Sequence, residues 1–95
     1  MQLDNLFDAK SFAVVGASSD ETKVGHQILK NLTLNKNLTL YPVNLKGGTI
    51  LGHQVYTHLS KTPTAPDVTI ISIPAQFVEN IIDECIQVKT KAVIL

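Results

Sequence analysis

Short apolar runs alternate along the chain with stretches whose apolar residues recur at helical spacing. Four of these runs are typical of buried strands, at 11–15, 38–43, 68–73 and 92–95. Two stretches between them, 24–32 and 77–86, place their apolar residues on one face of a helix. Strands that alternate with helices predict an α/β fold in three layers, with a mostly parallel sheet between the helices.

The composition fits one folded domain over residues 1–95. The chain is 44% hydrophobic and 17% charged, which excludes the disordered class. Its eight basic residues are all lysines and balance eight acidic residues, so a nucleic-acid partner is not expected. No apolar run is long enough to span a membrane, and the first residues lack the apolar core of a signal peptide. We therefore expect a cytoplasmic protein without a membrane partner.

The first strand-to-helix loop has the composition of a phosphate-binding loop. Gly16 ends the strand and Gly25 begins the helix, with the hydroxyl residues Ser18, Ser19 and Thr22 between them. A helix N-terminus that follows such a loop presents unpaired N–H groups and a positive dipole end, which suit a phosphate. The alternative is that the two glycines only make a tight turn.

The same loop does not fit the common nucleotide fingerprints. It is neither G-x-G-x-x-G nor a P-loop, because His26 follows Gly25 where the P-loop has a lysine. The second strand ends at Asn44 without the carboxylate that would bind the ribose of NAD. Lys46 favours a ribose phosphate instead, although it could equally be an exposed turn lysine. The predicted ligand is phosphate-rich and nucleotide-like, but not NAD.

An ordered set of short motifs resembles one protein family over nearly the whole chain, from about Leu6 to Leu95. The set consists of Phe12-Ala13-Val14-Val15-Gly16-Ala17-Ser18, Lys23-Val24-Gly25, Asn31-Leu32, Tyr41-Pro42-Val43-Asn44, Lys46-Gly47-Gly48, Gly52, Tyr56, Asp67 and Ile73-Pro74-Ala75. It resembles the CoA-binding domain of NDP-forming acyl-CoA synthetases and, more distantly, the alpha subunit of succinyl-CoA synthetase. The resemblance implies a Rossmann-like domain that binds coenzyme A or acyl-CoA.

The resemblance also implies which residues bind coenzyme A. The loop at 16–25 would hold the CoA phosphates, and Pro42, Val43 and Lys46 would line the adenosine and its ribose phosphate. The segment 73–75 would pass close to the nucleotide or the pantetheine arm. The implied CoA-binding residues are Gly16, Ala17, Ser18, Ser19, Lys23, Val24, Gly25, Pro42, Val43, Asn44, Lys46, Ile73, Pro74 and Ala75.

The resemblance further implies a parent ligase that joins an acid to a thiol, with an ATP-grasp domain and a phosphohistidine domain as partners. The chain stops at its last predicted strand, so we expect a fold truncated there and a longer parent chain of which 1–95 is the N-terminal part. No histidine here matches the phosphorylated one, and no nucleophile–base pair is visible. We therefore expect binding without catalysis, and no catalytic or metal-binding residue. Two alternatives are a CoA- or acetyl-CoA-sensing domain fused to an acetyltransferase, and an NAD(P)-binding oxidoreductase domain.

Four further expectations concern single segments. His26 is expected on the surface, and Cys85 as a buried small apolar residue. The apolar stripe at 77–86 is expected in the core, unless missing elements leave it uncovered. The segment 49–60 is expected to hold a short extended piece near Ile50 and a brief helical turn near 56–59.

Overall fold

A computed structural model describes residues 9–95. The first eight residues of the predicted domain, with Leu6 where the resemblance begins, lie outside the described residues. In chain order the elements are β1 (Ser11–Val15), α1 (Val24–Leu32), β2 (Thr39–Val43), β3 (Thr49–Ile50), β4 (His53–Gln54), β5 (Val68–Ile71), α2 (Val78–Val88) and β6 (Ala92–Ile94). Two short 3-10 turns, Leu59–Lys61 and Ala75–Phe77, precede β5 and α2.

Among the described residues, β1 lies inside a parallel sheet with the strand order β2-β1-β5-β6. Val15 at the end of β1 pairs with Val43 of β2 and with Ile71 of β5, so the three strands end at the same edge. The chain leaves β1 to one side to form β2 and then returns across it to form β5. The edge between β1 and β5 is therefore a topological switch point, where open α/β sheets bind their ligands.

The two helices pack on opposite faces of the sheet. Side chains alternate between the faces of a strand, and in β1 Val14 packs in one cluster with Leu29 of α1. Ala13 and Val15 pack in the other cluster, with Cys85 of α2. The predicted three-layer α/β fold with a mostly parallel sheet is confirmed, and so is the predicted burial of Cys85.

The third parallel strand is anchored at its start by Asp67. The Asp67 carboxylate accepts hydrogen bonds from the backbone N–H groups of Lys10, at 2.8 Å, and Ser11, at 3.2 Å. The Asp67 N–H in turn donates to Ser11 Oγ at 2.9 Å. The beginnings of β1 and β5 are thereby held together at the edge opposite to the switch point.

The structure differs from the sequence-based expectations in three segments. The segment 49–60 contains two antiparallel strands instead of one extended piece, because the chain reverses between β3 and β4. β5 ends at Ile71, two residues before the predicted end. The stripe at 77–86 is only partly core: Phe77 is 49% and Ile86 70% exposed, because both lie at the margin of a stripe broader than the sheet covers.

Candidate functional site

A cleft of about 470 Å³ opens at the switch point. Its walls come from three segments: the loop after β1, the first turn of α1 and the segment after β5. The lining residues are Gly16, Ser18, Lys23, Val24, Gly25, Ser72, Ile73 and Pro74. The cleft therefore lies where the sheet topology places a ligand site.

The backbones of these three segments touch because two positions lack a side chain. A Cβ added to Gly16 would lie 2.8 Å from the Ser72 carbonyl carbon, and Gly16 has a positive φ of 93°. A Cβ added to Gly25 would lie 2.8 Å from the Gly16 carbonyl carbon. Gly16 also donates its N–H to the Val43 carbonyl oxygen at 3.0 Å. Both glycines thus do more than make a turn, since they let the start of α1 pack directly on the loop.

The first turn of α1 offers donors to the cleft. Lys23 is the N-cap residue and makes no side-chain cap hydrogen bond. The first backbone bond of the helix is donated by Gln27 to the Lys23 carbonyl oxygen at 3.3 Å. Within residues 9–95, the N–H groups of Val24, Gly25 and His26 therefore have no partner. Together with the helix dipole and the Lys23 ammonium, they favour an anion.

The loop itself is closed by Asp20. Its carboxylate accepts from the Thr22 N–H at 2.9 Å and from the Thr22 hydroxyl at 2.7 Å. The hydrogen bond from the Thr22 side chain, followed by that from its backbone, lowers the pKa of Asp20 from its ordinary value. Ser18 Oγ accepts from the Asp20 N–H at 3.0 Å, so both hydroxyl residues help to shape the turn.

His26 is buried rather than exposed, so its expected surface position is wrong. It is 5% exposed, and its Nδ1 donates to the Ser18 carbonyl oxygen at 2.8 Å. A carbonyl oxygen only accepts, so Nδ1 carries the hydrogen. The close contact at Gly25 explains the burial, because it brings the first turn of α1 against the loop.

The residues implied to bind the adenosine lie at the end of β2. Pro42 and Val43 are buried within the sheet, so their side chains do not line the cleft. The Asn44 amide donates to the Ala17 carbonyl oxygen at 3.0 Å and accepts from the Lys46 N–H at 2.8 Å. Lys46 is exposed in the turn after β2. Adenosine binding by these residues stays a prediction.

The cleft brings together half of the implied residues. Those that line it are Gly16, Ser18, Lys23, Val24, Gly25, Ile73 and Pro74. Those outside the lining are Ala17, Ser19, Pro42, Val43, Asn44, Lys46 and Ala75. Sequence reasoning missed Ser72, whose backbone carbonyl meets Gly16. The sequence feature that could have indicated Ser72 is a hydroxyl residue between two β-branched residues, directly after the end of β5.

Among residues 9–95, the other reactive groups include the buried thiol of Cys85. Burial raises the pKa of the Cys85 thiol, so little of it is the nucleophilic thiolate. Within residues 9–95 there is no group of three or more His, Cys, Asp or Glu side chains that could hold a metal ion. None of the described helices is long and apolar enough to cross a membrane.

Comparisons with known proteins identify the family of the chain. The family described as CoA binding domain matches residues 10–95. The chain is 40% identical to the alpha subunit of acetate–CoA ligase [ADP-forming] I from Pyrococcus furiosus, over 98% of this chain and 21% of that protein. It is 43% identical to acetate–CoA ligase [ADP-forming] I from Archaeoglobus fulgidus, over 87% of this chain and 12% of that protein. The chain thus spans about a fifth of the length of the first relative and a smaller share of the second.

A solved structure shows the same fold. The acetyl-coenzyme A synthetase 1 of Ca. Korarchaeum cryptofilum, crystallised with phosphate and ADP, superposes with a TM-score of 0.90 at 36% identity. The match covers 97% of this chain and 20% of that one. These matches confirm the predicted resemblance and give no support to the acetyltransferase-linked or the oxidoreductase alternative. The chain belongs to the family of CoA-binding domains.

Proposed function

We propose that the chain binds coenzyme A at the switch-point cleft and serves as the CoA-binding part of an ADP-forming acyl-CoA synthetase. The observation that carries the proposal is the coincidence of the cleft with the unpaired N–H groups at the start of α1. The names of the relatives, which are ADP-forming acetate–CoA ligases, support the reaction class. Coenzyme A would be a substrate of such a ligase, and the thiol of coenzyme A would accept the acyl group.

The phosphates of coenzyme A would lie against the first turn of α1. The N–H groups of Val24, Gly25 and His26 would donate to the phosphate oxygens, and the Lys23 ammonium would supply an opposite charge. Ser18 would add a polar contact from the loop.

The remaining parts of the ligand would lie on either side of the phosphates. Lys46, exposed after β2, would face the ribose phosphate. Ile73 and Pro74, which line the cleft after β5, would give an apolar wall to the nucleotide or the pantetheine arm. Val24, 65% exposed at the rim, would cover one apolar part of the ligand and lose its contact with water.

The chemistry of acyl transfer would be completed outside this chain. Cys85 is buried and His26 is committed to the Ser18 carbonyl oxygen, so neither is placed to attack an acyl group. We propose that a phosphohistidine domain and an ATP-grasp domain supply the activated acyl group, and that this chain presents the CoA thiol to it. The cytoplasmic location stays a prediction.

Titration calorimetry with the chain tests the proposal. We expect binding of CoA and much weaker binding of NAD, because β2 ends without a ribose-binding carboxylate. Lys23→Ala should weaken CoA binding about tenfold, as expected for loss of a charge-assisted contact. Lys30→Ala, at the other end of α1, is the matched control and should change the affinity less than twofold. Tight NAD binding without CoA binding would refute the proposal.

A further inference from the structure

Two side chains from different elements hold two successive carbonyl groups of the loop after β1. Asn44, which follows β2, donates its amide to the Ala17 carbonyl oxygen at 3.0 Å. His26, in the first turn of α1, donates Nδ1–H to the Ser18 carbonyl oxygen at 2.8 Å. These bonds join residues 27 and 8 positions apart, so they depend on the packing of β2 and α1 against the loop.

The direction of the two carbonyl groups sets the direction of the next two N–H groups. In a trans peptide the C=O and N–H of one unit point in opposite directions, and no described peptide is cis. The N–H of Ser18 therefore points away from Asn44, and the N–H of Ser19 points away from His26. Neither N–H has a hydrogen-bond partner within residues 9–95. They are donors turned outward on a loop whose Ser18 lines the cleft.

Both holding side chains are themselves fixed. Asn44 Oδ1 accepts from the N–H groups of Lys46, at 2.8 Å, and Gly47, at 3.0 Å, which sets the orientation of its amide. The Asn44 N–H donates to the Tyr56 carbonyl oxygen at 3.1 Å. His26 is 5% exposed, so its rotamer is restricted by packing. The loop is therefore held in one conformation before any ligand arrives.

We propose that His26 and Asn44 are positioning residues, which hold the Ala17 and Ser18 carbonyl groups so that the Ser18 and Ser19 amides point at the ligand's phosphates. The proposal rests on the proposed binding of coenzyme A and adds two donors to those of α1. Holding the loop in advance lowers the entropy lost on binding, which raises the affinity without any contact between these two side chains and the ligand. Asn44 additionally links the loop to the turn that carries Lys46.

Two polar replacements of His26 separate positioning from mere packing. His26→Asn keeps an N–H donor at the place of Nδ1, whereas His26→Gln moves the donor to the place of Nε2. We expect His26→Asn to bind CoA within about twofold of the unchanged chain. We expect His26→Gln to bind about tenfold more weakly, close to the effect of one lost hydrogen bond. Calorimetry measures both, and thermal unfolding checks that both variants are folded.

The Ser18 and Ser19 amides give a second readout. In ¹⁵N–¹H spectra both should shift strongly when CoA is added to the unchanged chain and to His26→Asn, and Ser19 should shift less in His26→Gln. Gln27→Ala is the matched control: Gln27 also donates to a loop carbonyl, that of Glu21, at 2.7 Å. The next N–H, of Thr22, is already bonded to Asp20, so this variant should leave CoA affinity unchanged.

The outcomes distinguish this inference from the proposed function. If the unchanged chain does not bind CoA, the proposed function fails. If it binds, but His26→Asn and His26→Gln bind equally well or in the reverse order, the positioning role is wrong and CoA binding stands. Asn44→Ala should also weaken CoA binding about tenfold, and an unchanged affinity in that variant would overturn the role of Asn44.

Discussion

Replacement of Gly25 by alanine should disturb the cleft through lack of space alone. Gly25 does not have a positive φ, so only lack of space requires a glycine there. The new Cβ would lie 2.8 Å from the Gly16 carbonyl carbon and 3.2 Å from the Ala17 Cα, against about 3.4 Å for an ordinary contact. The Gly16 carbonyl oxygen is closer still, and these are backbone atoms that no side-chain rotation can move, so the start of α1 and the loop must separate by about an ångström.

The magnitude follows from two opposing effects. Overpacking of this kind costs up to about 3 kcal/mol, and alanine in place of glycine within a helix returns about 1 kcal/mol. The free energy of unfolding should therefore fall by about 2 kcal/mol, which lowers the Tm of a domain this size by about 8–16 °C. CoA affinity should fall about tenfold or more, because the N–H groups of α1 move away from the loop donors.

Thermal or urea unfolding and calorimetry with CoA measure the two effects. Gly52→Ala is the matched control, since Gly52 has a φ of 81°, no heavy atom within 4 Å of an added Cβ, and no part in the cleft lining. It should lose about 1 kcal/mol of stability through backbone strain and keep its CoA affinity. A Gly25→Ala chain with the stability and CoA affinity of the unchanged chain would show that the close packing of α1 on the loop is not needed.

Two further predictions concern charges. Lys46→Ala should weaken binding of CoA about tenfold and binding of dephospho-CoA much less, because only CoA carries the ribose phosphate; equal losses in calorimetry would place the lysine elsewhere. The backbone hydrogen bond from Lys10, with that from Ser11 and the Lys91 ammonium, lowers the pKa of Asp67 from 3.8 despite its partial burial. A lowered folded-state pKa stabilises the fold above the unfolded-state value, so this stability should disappear as the pH falls from about 4 through the folded value. Urea unfolding at a series of pH values should show that the free energy of unfolding of Asp67→Asn depends less on pH in the acid range. An unchanged pH dependence would contradict the lowered pKa of Asp67.

Local sequence patterns predicted the strands that are buried on both faces and the helix that is buried on one face. The runs of β1 and β5 are apolar because parallel strands are covered on both faces, and the spacing in α1 matches the single face that packs on the sheet. Gly16 and Gly25 marked the loop because only glycine permits such close backbone approach. These features depend on the position of a residue within its own strand, helix or loop, and the amino-acid sequence shows that position directly.

The same patterns failed where a second element decided the environment. His26 was expected in water, because its own helix gives no sign that the loop folds over it. Phe77 and Ile86 were expected in the core, yet the sheet does not reach them. Pro42 and Val43 are buried in β2, and their implied contact with the adenosine stays a prediction.

Sequence alone thus determined the strands of the parallel sheet, its two helices and the glycine-rich turn after β1, whereas the ligand of that turn stays a prediction. Tertiary structure decided that β1 and β5 are neighbours, which puts Ser72 beside Gly16, and that Asn44 and His26 reach the loop from two sides. The reason is physical: periodicity depends on neighbours a few positions apart, whereas these contacts join backbones brought together only when the whole sheet and its helices pack.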